Sequence, residues 1–204
     1  MRRYSHYAVA FAALLGLFGI WLTGPWRSGG PRDGSATLQA PSIGGSFTLT
    51  ATDGSTVTDQ TYRGKIMLVY FGYTFCPDAC PTTLNDIAAA LAELGALADR
   101  IQALFITIDP QRDTRKVLAD YAKSFDPRIV GLTGTPAQIA VAAKAYGVYY
   151  APYKTADAPG GYLMDHTSVV FVMNEEGRFV ATFTQDTPPA QMADRLRKLI
   201  AKTS

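Results

Sequence analysis

Residues 66–83 read IMLVYFGYTFCPDACPTT, an apolar run that ends in two cysteines and two prolines. A continuous apolar run of this kind is typical of a central strand that is covered on both faces of a sheet. The two cysteines are the only ones in the chain, and three residues separate them. Residues 83–98, which follow, have the period and composition of a helix. The stretch therefore predicts a strand and then a helix, with paired thiols where the two elements meet.

Strand and helix signals alternate through the rest of the domain. The predicted strands are 47–51, 66–73 and 103–109, and the further predicted helices are 114–125, 135–146 and 187–202. Residues 168–185 predict a β-hairpin that turns at Glu175, Glu176 and Gly177. A chain that alternates in this way and ends in a hairpin and a helix indicates an α/β, thioredoxin-like sandwich with a central mixed sheet.

A hydrophobic segment precedes this domain. Residues Tyr7–Thr23 carry no charge and follow Arg2 and Arg3, which predicts one N-terminal transmembrane helix within an anchor of residues 1–23. The arginines hold the amino end inside, so the rest of the chain is expected to face the periplasm or outer side of an inner (cytoplasmic) membrane. A cleaved secretory signal is the alternative, although bulky Trp26 lies where a cleavage site needs small residues.

A linker and an acidic domain follow the anchor. Residues 24–43 are rich in Gly, Pro and Ser and lack an apolar period, which predicts a flexible linker before a domain of residues 44–204. The chain has a net charge of +2, but residues 1–32 contain four arginines and no acid, so the remainder carries −2. A mildly acidic domain lacks the basic surface that nucleic-acid binding needs, and we expect no nucleic acid among the partners.

Four motifs carry a resemblance to a known family. They are VYFGYTFCPDACPTTL (69–84), IDPQRDT (108–114), YLMDHT (162–167) and SVVFVMN (168–174). Together they resemble the Sco/SenC family, whose membrane-tethered members help to metallate the copper centre of cytochrome c oxidase. The resemblance covers about residues 44–200 and implies that Cys76, Cys80 and His166 bind copper.

The residues by themselves leave three roles open for the thiols. Positions i and i+4 of a helix share a face, so Cys76 and Cys80 can offer two sulfurs to one ion or close into a redox-active disulfide. A helix N-terminus also favours the thiolate, which binds metals and attacks disulfides. A purely structural disulfide is the third role, but so small a loop stabilises a fold by only roughly 2 kcal/mol.

His166 is the only imidazole outside the N-terminal segment, where His6 lies. It ends a predicted loop before strand 168–174, which a thioredoxin-like layout places beside the cysteine-bearing strand. As that fold implies, a disulfide oxidoreductase has a proline just before this strand and a C-x-x-C pair. This chain has His166 and Thr167 there and a C-x-x-x-C pair, which favours coordination over general thiol exchange.

Two thiolates and one imidazole suit Cu(I), and with added water or a carboxylate they suit Cu(II). Catalytic zinc is the rival metal, whereas structural zinc would need a fourth protein ligand. Candidates for a role beside the ligands are Asp78, Asp109 and Asp165. Met164 is a soft ligand type, but a thioether in an apolar segment more often fills a core.

Taken with the donor set, the resemblance to the Sco/SenC family implies a copper-binding metallochaperone that is not an enzyme in the turnover sense. Its expected partners are the copper-bearing subunit of cytochrome c oxidase, a periplasmic copper donor or a thiol reductant, and the membrane. The alternative is a thiol-disulfide reductase that keeps the copper-ligand cysteines of the acceptor reduced. A redox or copper sensor is a third hypothesis.

Overall fold

The computed structural model describes residues 43–156 and 158–203. The predicted anchor and residues 24–42 of the predicted linker lie outside the described residues. Ile43, the last residue of that linker, already packs against the hydrophobic core. Within the described ranges, no helix is both long enough and apolar enough to cross a membrane.

The described residues form strands and helices in the alternating order that the sequence predicts. The strands are β1 (Thr48–Ala51), β2 (Thr56–Thr58), β3 (Ile66–Gly72), β4 (Ile101–Thr107), β5 (Ile129–Thr133), β6 (Tyr150–Lys154), β7 (Tyr162–His166), β8 (Val170–Met173) and β9 (Phe179–Phe183). The helices are α1 (Ala79–Leu94), α2 (Arg115–Phe125), α3 (Pro136–Tyr146) and α4 (Pro189–Thr203). Short 3₁₀ segments occupy Gly95–Arg100 and Pro159–Gly161.

Seven of the strands make one mixed sheet in the order β2-β1-β5-β4-β3-β8-β9. Strands β3, β4 and β5 are parallel, whereas the remaining pairs are antiparallel. Strand β8 lies directly beside β3, with Val170 opposite Tyr70, as the sequence predicts. This arrangement confirms the α/β, thioredoxin-like fold with a central mixed sheet.

Helices cover both faces of the sheet. Neighbouring residues of a strand point to opposite faces, and all seven residues of β3 are buried. On one face, Tyr146 of α3 packs against Phe71 and Phe171. On the other face, Tyr70 stacks on Phe105, which contacts Tyr121 of α2. Helix α1 packs beside α2 and α4. The continuous apolar run of β3 is thus explained by burial on both sides.

Helix α1 begins and ends earlier than the predicted 83–98. It starts at Ala79. Pro81 then falls in the first turn, where a backbone N–H has no helical partner, so proline is tolerated. It ends before Gly95, whose φ of +58° suits glycine. Cys80 therefore lies in the first turn of the helix, and Cys76 lies in the turn before it.

Residues 162–167, which the sequence analysis treats as a loop, are mostly strand. Tyr162–His166 forms β7, which pairs with β6 in a separate two-stranded antiparallel sheet. Neither β6 nor the short strands β2 and β5 was predicted. Strand β2 has only three residues, Pro152 and Lys154 break the pattern of β6, and Gly131 interrupts the apolar residues of β5. Neither a period of two nor a continuous apolar run therefore stands out.

Candidate metal centre

Three side chains that the sequence singles out lie together at one edge of the main sheet. One ligand atom from each of Cys76, Cys80 and His166 lies within 4.8 Å of the other two. Cys80 Sγ and His166 Nε2 are 3.7 Å apart. Within the described residues, this is the only group of three or more His, Cys, Asp or Glu side chains close enough to hold a metal ion.

Cys76 is held by the turn between β3 and α1. Its backbone N–H donates to the carbonyl of Tyr73 at 3.3 Å, and its Sγ accepts from the backbone N–H of Cys80 at 3.3 Å. The sulfur thus receives a free N–H group of the first helical turn, as a capping oxygen would. This geometry corrects the picture of both cysteines on one helical face, although it still brings the two sulfurs together.

The two thiols have opposite acidities. The S–H of Cys80, the His166 side chain and the backbone N–H groups of Asp78 and Cys80 lower the pKa of Cys76 to about 4, against the opposing effect of burial. The Cys76 thiolate and burial raise the pKa of Cys80 above that of an ordinary thiol. Cys76 is partly exposed, whereas Cys80 is fully buried. The pair therefore presents an outer thiolate and an inner thiol, and both are free.

Gly72, the last residue of β3, makes room for the inner sulfur. A Cβ atom on Gly72 would lie 2.7 Å from Cys80 Sγ and 2.7 Å from Phe105 Cε2. Neither neighbour can retreat, because both side chains are fully buried. Tyr70, on the same strand, donates its hydroxyl hydrogen to Cys80 Sγ at 3.6 Å. Gly72 and Tyr70 of strand β3 therefore hold the Cys80 sulfur in its place.

His166 comes from the other side of the site, at the end of β7. Its Nδ1 lies 3.1 Å from the carbonyl oxygen of Thr167. A carbonyl only accepts hydrogen bonds, so Nδ1 donates to Thr167, and Nε2, which lies 3.7 Å from Cys80 Sγ, is the ring nitrogen that would bind a metal. Tyr73 packs edge-on against the imidazole, with ring centroids 5.9 Å apart.

None of the three aspartates named from the sequence belongs to the group of candidate ligands. Asp165 and Asp78 are exposed, and the second imidazole nitrogen bonds to Thr167 rather than to Asp165. Adjacent residues of a strand point to opposite faces, which separates the Asp165 side chain from His166. Asp109 is buried and accepts from the hydroxyl of Tyr162 at 3.0 and 3.1 Å. It also forms an ion pair with Arg112.

Met164 lies in the hydrophobic core and is 8% exposed. It shares a face of β7 with His166, since alternate residues of a strand point the same way. Its burial agrees with the interpretation of this thioether as a core residue.

Asp113 supports the cysteine turn and was not named from the sequence. It is fully buried and accepts hydrogen bonds from Thr74 N at 3.1 Å, Thr74 Oγ1 at 2.6 Å and Thr107 Oγ1 at 2.6 Å. Thr74 begins the turn that carries Cys76. The sequence does show an acidic residue, Asp113, soon after the buried strand β4. It does not show which residues that acid contacts.

Comparison with known proteins gives a family match over most of the chain. A model of the SCO1/SenC family matches residues 35–201. Protein SCO1 homolog, mitochondrial, of Homo sapiens is 39% identical over 155 residues, which are 75% of this chain and 51% of that protein. The chain thus spans about half the length of that relative. Protein SenC of Rhodobacter capsulatus is 40% identical over 161 residues, 79% of this chain and 71% of that protein.

A solved structure with a bound metal is also similar. The structure of Bradyrhizobium japonicum ScoI with copper bound has a TM-score of 0.72 and 44% sequence identity. The likeness covers 77% of this chain and 99% of that one.

Proposed function

Because this chain belongs to the SCO1/SenC family, we propose that it is a copper metallochaperone that serves the copper centre of cytochrome c oxidase. The observation that carries the proposal is the convergence of two sulfurs and one imidazole nitrogen within 4.8 Å. Soft sulfur ligands with an imidazole favour copper, and a similar protein has been solved with copper bound. The same donor set would also bind zinc with an open fourth position, so the choice of copper over zinc is part of what we propose.

Unequal exposure of the two sulfurs suggests an order for the release of copper. Cys76 is partly exposed and Cys80 is fully buried, so a ligand of the acceptor meets the Cys76 side first. That ligand binds the copper ion as Cys76 leaves, and further ligands of the acceptor then displace the inner sulfur and the imidazole one at a time. Cys80 takes up a proton as it leaves, because its pKa is raised in the free pair. The oxidation state of the copper does not change in this exchange, because each arriving donor replaces a departing one.

Location and partners belong to the same proposal. Residues 1–23 anchor the chain in the inner membrane by one pass, and the carboxyl-terminal domain faces the periplasm or outer side. The acceptor is the copper-bearing subunit of the oxidase. A periplasmic donor supplies copper to the thiols, or a thiol reductant supplies two electrons to the disulfide of Cys76 and Cys80 when that disulfide has formed. Arg2 and Arg3, which precede the predicted span, support this orientation.

The proposal is tested by removing one ligand at a time. Cys76→Ala and His166→Ala should each lower copper affinity. His166→Ala should lower Cu(II) affinity most, because two sulfur ligands alone bind Cu(II) less favourably than Cu(I). Both variants should also reduce oxidase activity in the host cell. Copper titration of the purified chain, with oxidation state read by spectroscopy, provides the measurement. Equal copper binding by the parent and Cys76→Ala would remove the proposal.

A thiol-disulfide reductase is the second candidate, and the asymmetry of the cysteines favours it. A partly exposed Cys76 with a pKa of about 4 beside a buried Cys80 resembles an attacking thiolate and a resolving thiol. Thiol exchange does not need His166, so His166→Ala should retain it. If that variant loses copper affinity but still supports oxidase assembly, reduction is the main role. If the protein were a sensor, it would bind copper and exchange thiols, but loss of these activities would leave oxidase assembly unaffected.

A further inference from the structure

Arg112 lies in the segment between β4 and α2, outside the three ligands. Its side chain is only 13% exposed, and its Nε pairs with the carboxylate of Asp109, which is 4% exposed. A charged side chain this buried is held in one orientation by its partners. The ion pair with Asp109 therefore holds the Arg112 side chain in place just beyond the end of β4.

From that point Arg112 contacts the hairpin that carries His166. Its Nη1 donates to the carbonyl of Tyr162 at 3.0 Å, and its guanidinium carbon lies 3.6 Å from the centre of the Tyr162 ring. The Tyr162 hydroxyl in turn donates to Asp109. Tyr162 begins β7 and shares a face of that strand with His166.

Arg112 also contacts the turn that carries Cys76. The guanidinium carbon lies 4.7 Å from the centre of the Phe75 ring and 5.8 Å from that of Tyr73. Phe75 immediately precedes Cys76, and Tyr73 packs against the imidazole of His166. One guanidinium group thus lies against both the turn that carries Cys76 and the strand that carries His166.

We propose that Arg112 is a positioning residue that sets the distance between the imidazole of His166 and the two sulfurs. The hairpin β6–β7 needs such a support, because its strands pair with each other and are not part of the main sheet. A two-stranded hairpin alone is marginally stable, so contacts from outside decide where its end lies. The effect on copper rests on the proposed function, whereas the effect on the His166 position does not.

Lysine would keep the charge but not the geometry. A flat guanidinium group stacks on an aromatic ring and donates from nitrogen atoms that are set apart in one plane, whereas an ammonium group has no plane to stack and donates from a single nitrogen. Arg112→Lys therefore tests the bridge with little change in net charge. Arg128 provides the matched control, because it pairs with Asp126 and donates to a backbone carbonyl, that of Leu91, without touching the site.

The first experiment uses the full chain without metal. Nuclear Overhauser effects between the ring protons of Tyr73 and His166, whose centroids lie 5.9 Å apart, report the imidazole position. Arg112→Lys should weaken these effects, and Arg128→Lys should leave them at the parent level. Effects of parent strength in Arg112→Lys would overturn the proposal, whatever the metal proves to be. If Arg112→Lys fails to fold, Tyr162→Leu removes the stacked ring instead and should give the same loss.

The second experiment measures Cu(II) affinity. Loss of a group that orients a ligand typically lowers metal affinity about 10- to 100-fold, and we expect this range for Arg112→Lys. In a His166→Ala background the same substitution should change the affinity less than about twofold, because the imidazole that Arg112 positions is gone. An equal loss in both backgrounds would mean that Arg112 only stabilises the fold, and would overturn the proposal. If Cys76→Ala bound copper as tightly as the parent does, the proposed function itself would be refuted.

Discussion

At the scale of single residues, the two cysteines differ more than their symmetrical spacing suggests. Cys80 is part of the hydrophobic core, and Cys76 is at the surface of the site. We therefore expect replacement of Cys76 by Ala to cost little stability and replacement of Cys80 by Ala to cost more. Truncating Cys80 leaves a small void beside Gly72 and removes the sulfur that the Tyr70 hydroxyl contacts.

The acidity of Cys76 gives a prediction about alkylation. An unperturbed thiol, with a pKa of about 8.5, loses about tenfold in thiolate for each unit of pH below it. The pKa of Cys76 is lowered to about 4, so its thiolate fraction is nearly constant between pH 6 and 8. We expect the rate of Cys76 carboxymethylation by iodoacetate to be almost flat over that range, as measured by mass spectrometry of the modified peptide.

Cys80→Ala provides the control for that measurement. It removes the S–H group of Cys80, the largest cause of the lowered pKa of Cys76. The reaction rate of Cys76 in this variant should then rise with pH between 6 and 8. A tenfold rise per pH unit in the parent would contradict the assignment of Cys76 as the outer thiolate.

Gly72→Ala should disturb the metal centre through packing. The added methyl group would overlap Cys80 Sγ and Phe105, each 2.7 Å from the new Cβ. Overpacking of a core costs about 1–3 kcal/mol in free energy of unfolding, and here it also displaces a ligand. We expect both lower stability in urea and lower copper affinity of the folded fraction.

Gly131→Ala is the matched control, because its new Cβ would lie 2.8 Å from Leu118 Cγ, away from the three ligands. It should destabilise the fold to a similar extent but leave copper affinity of the folded fraction unchanged. Equal copper affinities for Gly72→Ala and the parent would show that the inner sulfur does not depend on this glycine.

At the scale of elements, the site is assembled from three segments. The turn after β3 supplies Cys76, the first turn of α1 supplies Cys80, and the end of β7 supplies His166. The segment between β4 and α2 supplies no ligand but holds the others: Asp113 binds the cysteine turn, and Arg112 contacts both the turn and the hairpin. Copper binding is therefore expected to respond to changes in a segment that never touches the ion.

Asp113→Ala should loosen the cysteine turn. It leaves the N–H and hydroxyl of Thr74 and the hydroxyl of Thr107 without their carboxylate acceptor. Each buried donor left unpaired costs about 1–3 kcal/mol. We expect a lower free energy of unfolding and faster exchange of the Thr74 amide hydrogen, measured by urea denaturation and hydrogen-exchange spectroscopy.

Asp113→Asn separates the loss of hydrogen bonds from other effects, because the amide keeps one acceptor and the Thr hydroxyls can accept from its NH₂ group. It should lose much less stability than Asp113→Ala. If the two substitutions cost the same, the three hydrogen bonds are not what holds the turn.

At the scale of the whole molecule, we predict an intact chain that is anchored in the membrane. Membranes of the producing cell should retain the full-length chain, with its carboxyl end accessible to protease added from the outer side. The physical reason is that Tyr7–Thr23 is uncharged and Arg2 and Arg3 precede it. A soluble mature chain that begins between about Gly24 and Gly45 would mean that the segment is a cleaved signal.

The sequence by itself determined the fold class and the identity of the candidate ligand residues. The apolar run of β3, the alternation of elements and the predicted helix over residues 135–146 rest on local patterns, and each appears in the structure. The cysteine pair is also local, since both thiols lie within five residues. His166 could be named because it is the sole imidazole outside the N-terminal segment and precedes a strand that pairs with β3.

Only the tertiary structure decided how those residues are held. Gly72 approaches Cys80, Asp113 bonds to Thr74, and Arg112 stacks on Tyr162 across fifty positions of sequence. Such contacts leave no periodic pattern in the chain, because they depend on which strand ends meet at one edge of the sheet. The opposite acidities of Cys76 and Cys80 arise in the same way, from burial and from hydrogen bonds that form only once the helix, the turn and the hairpin are packed together.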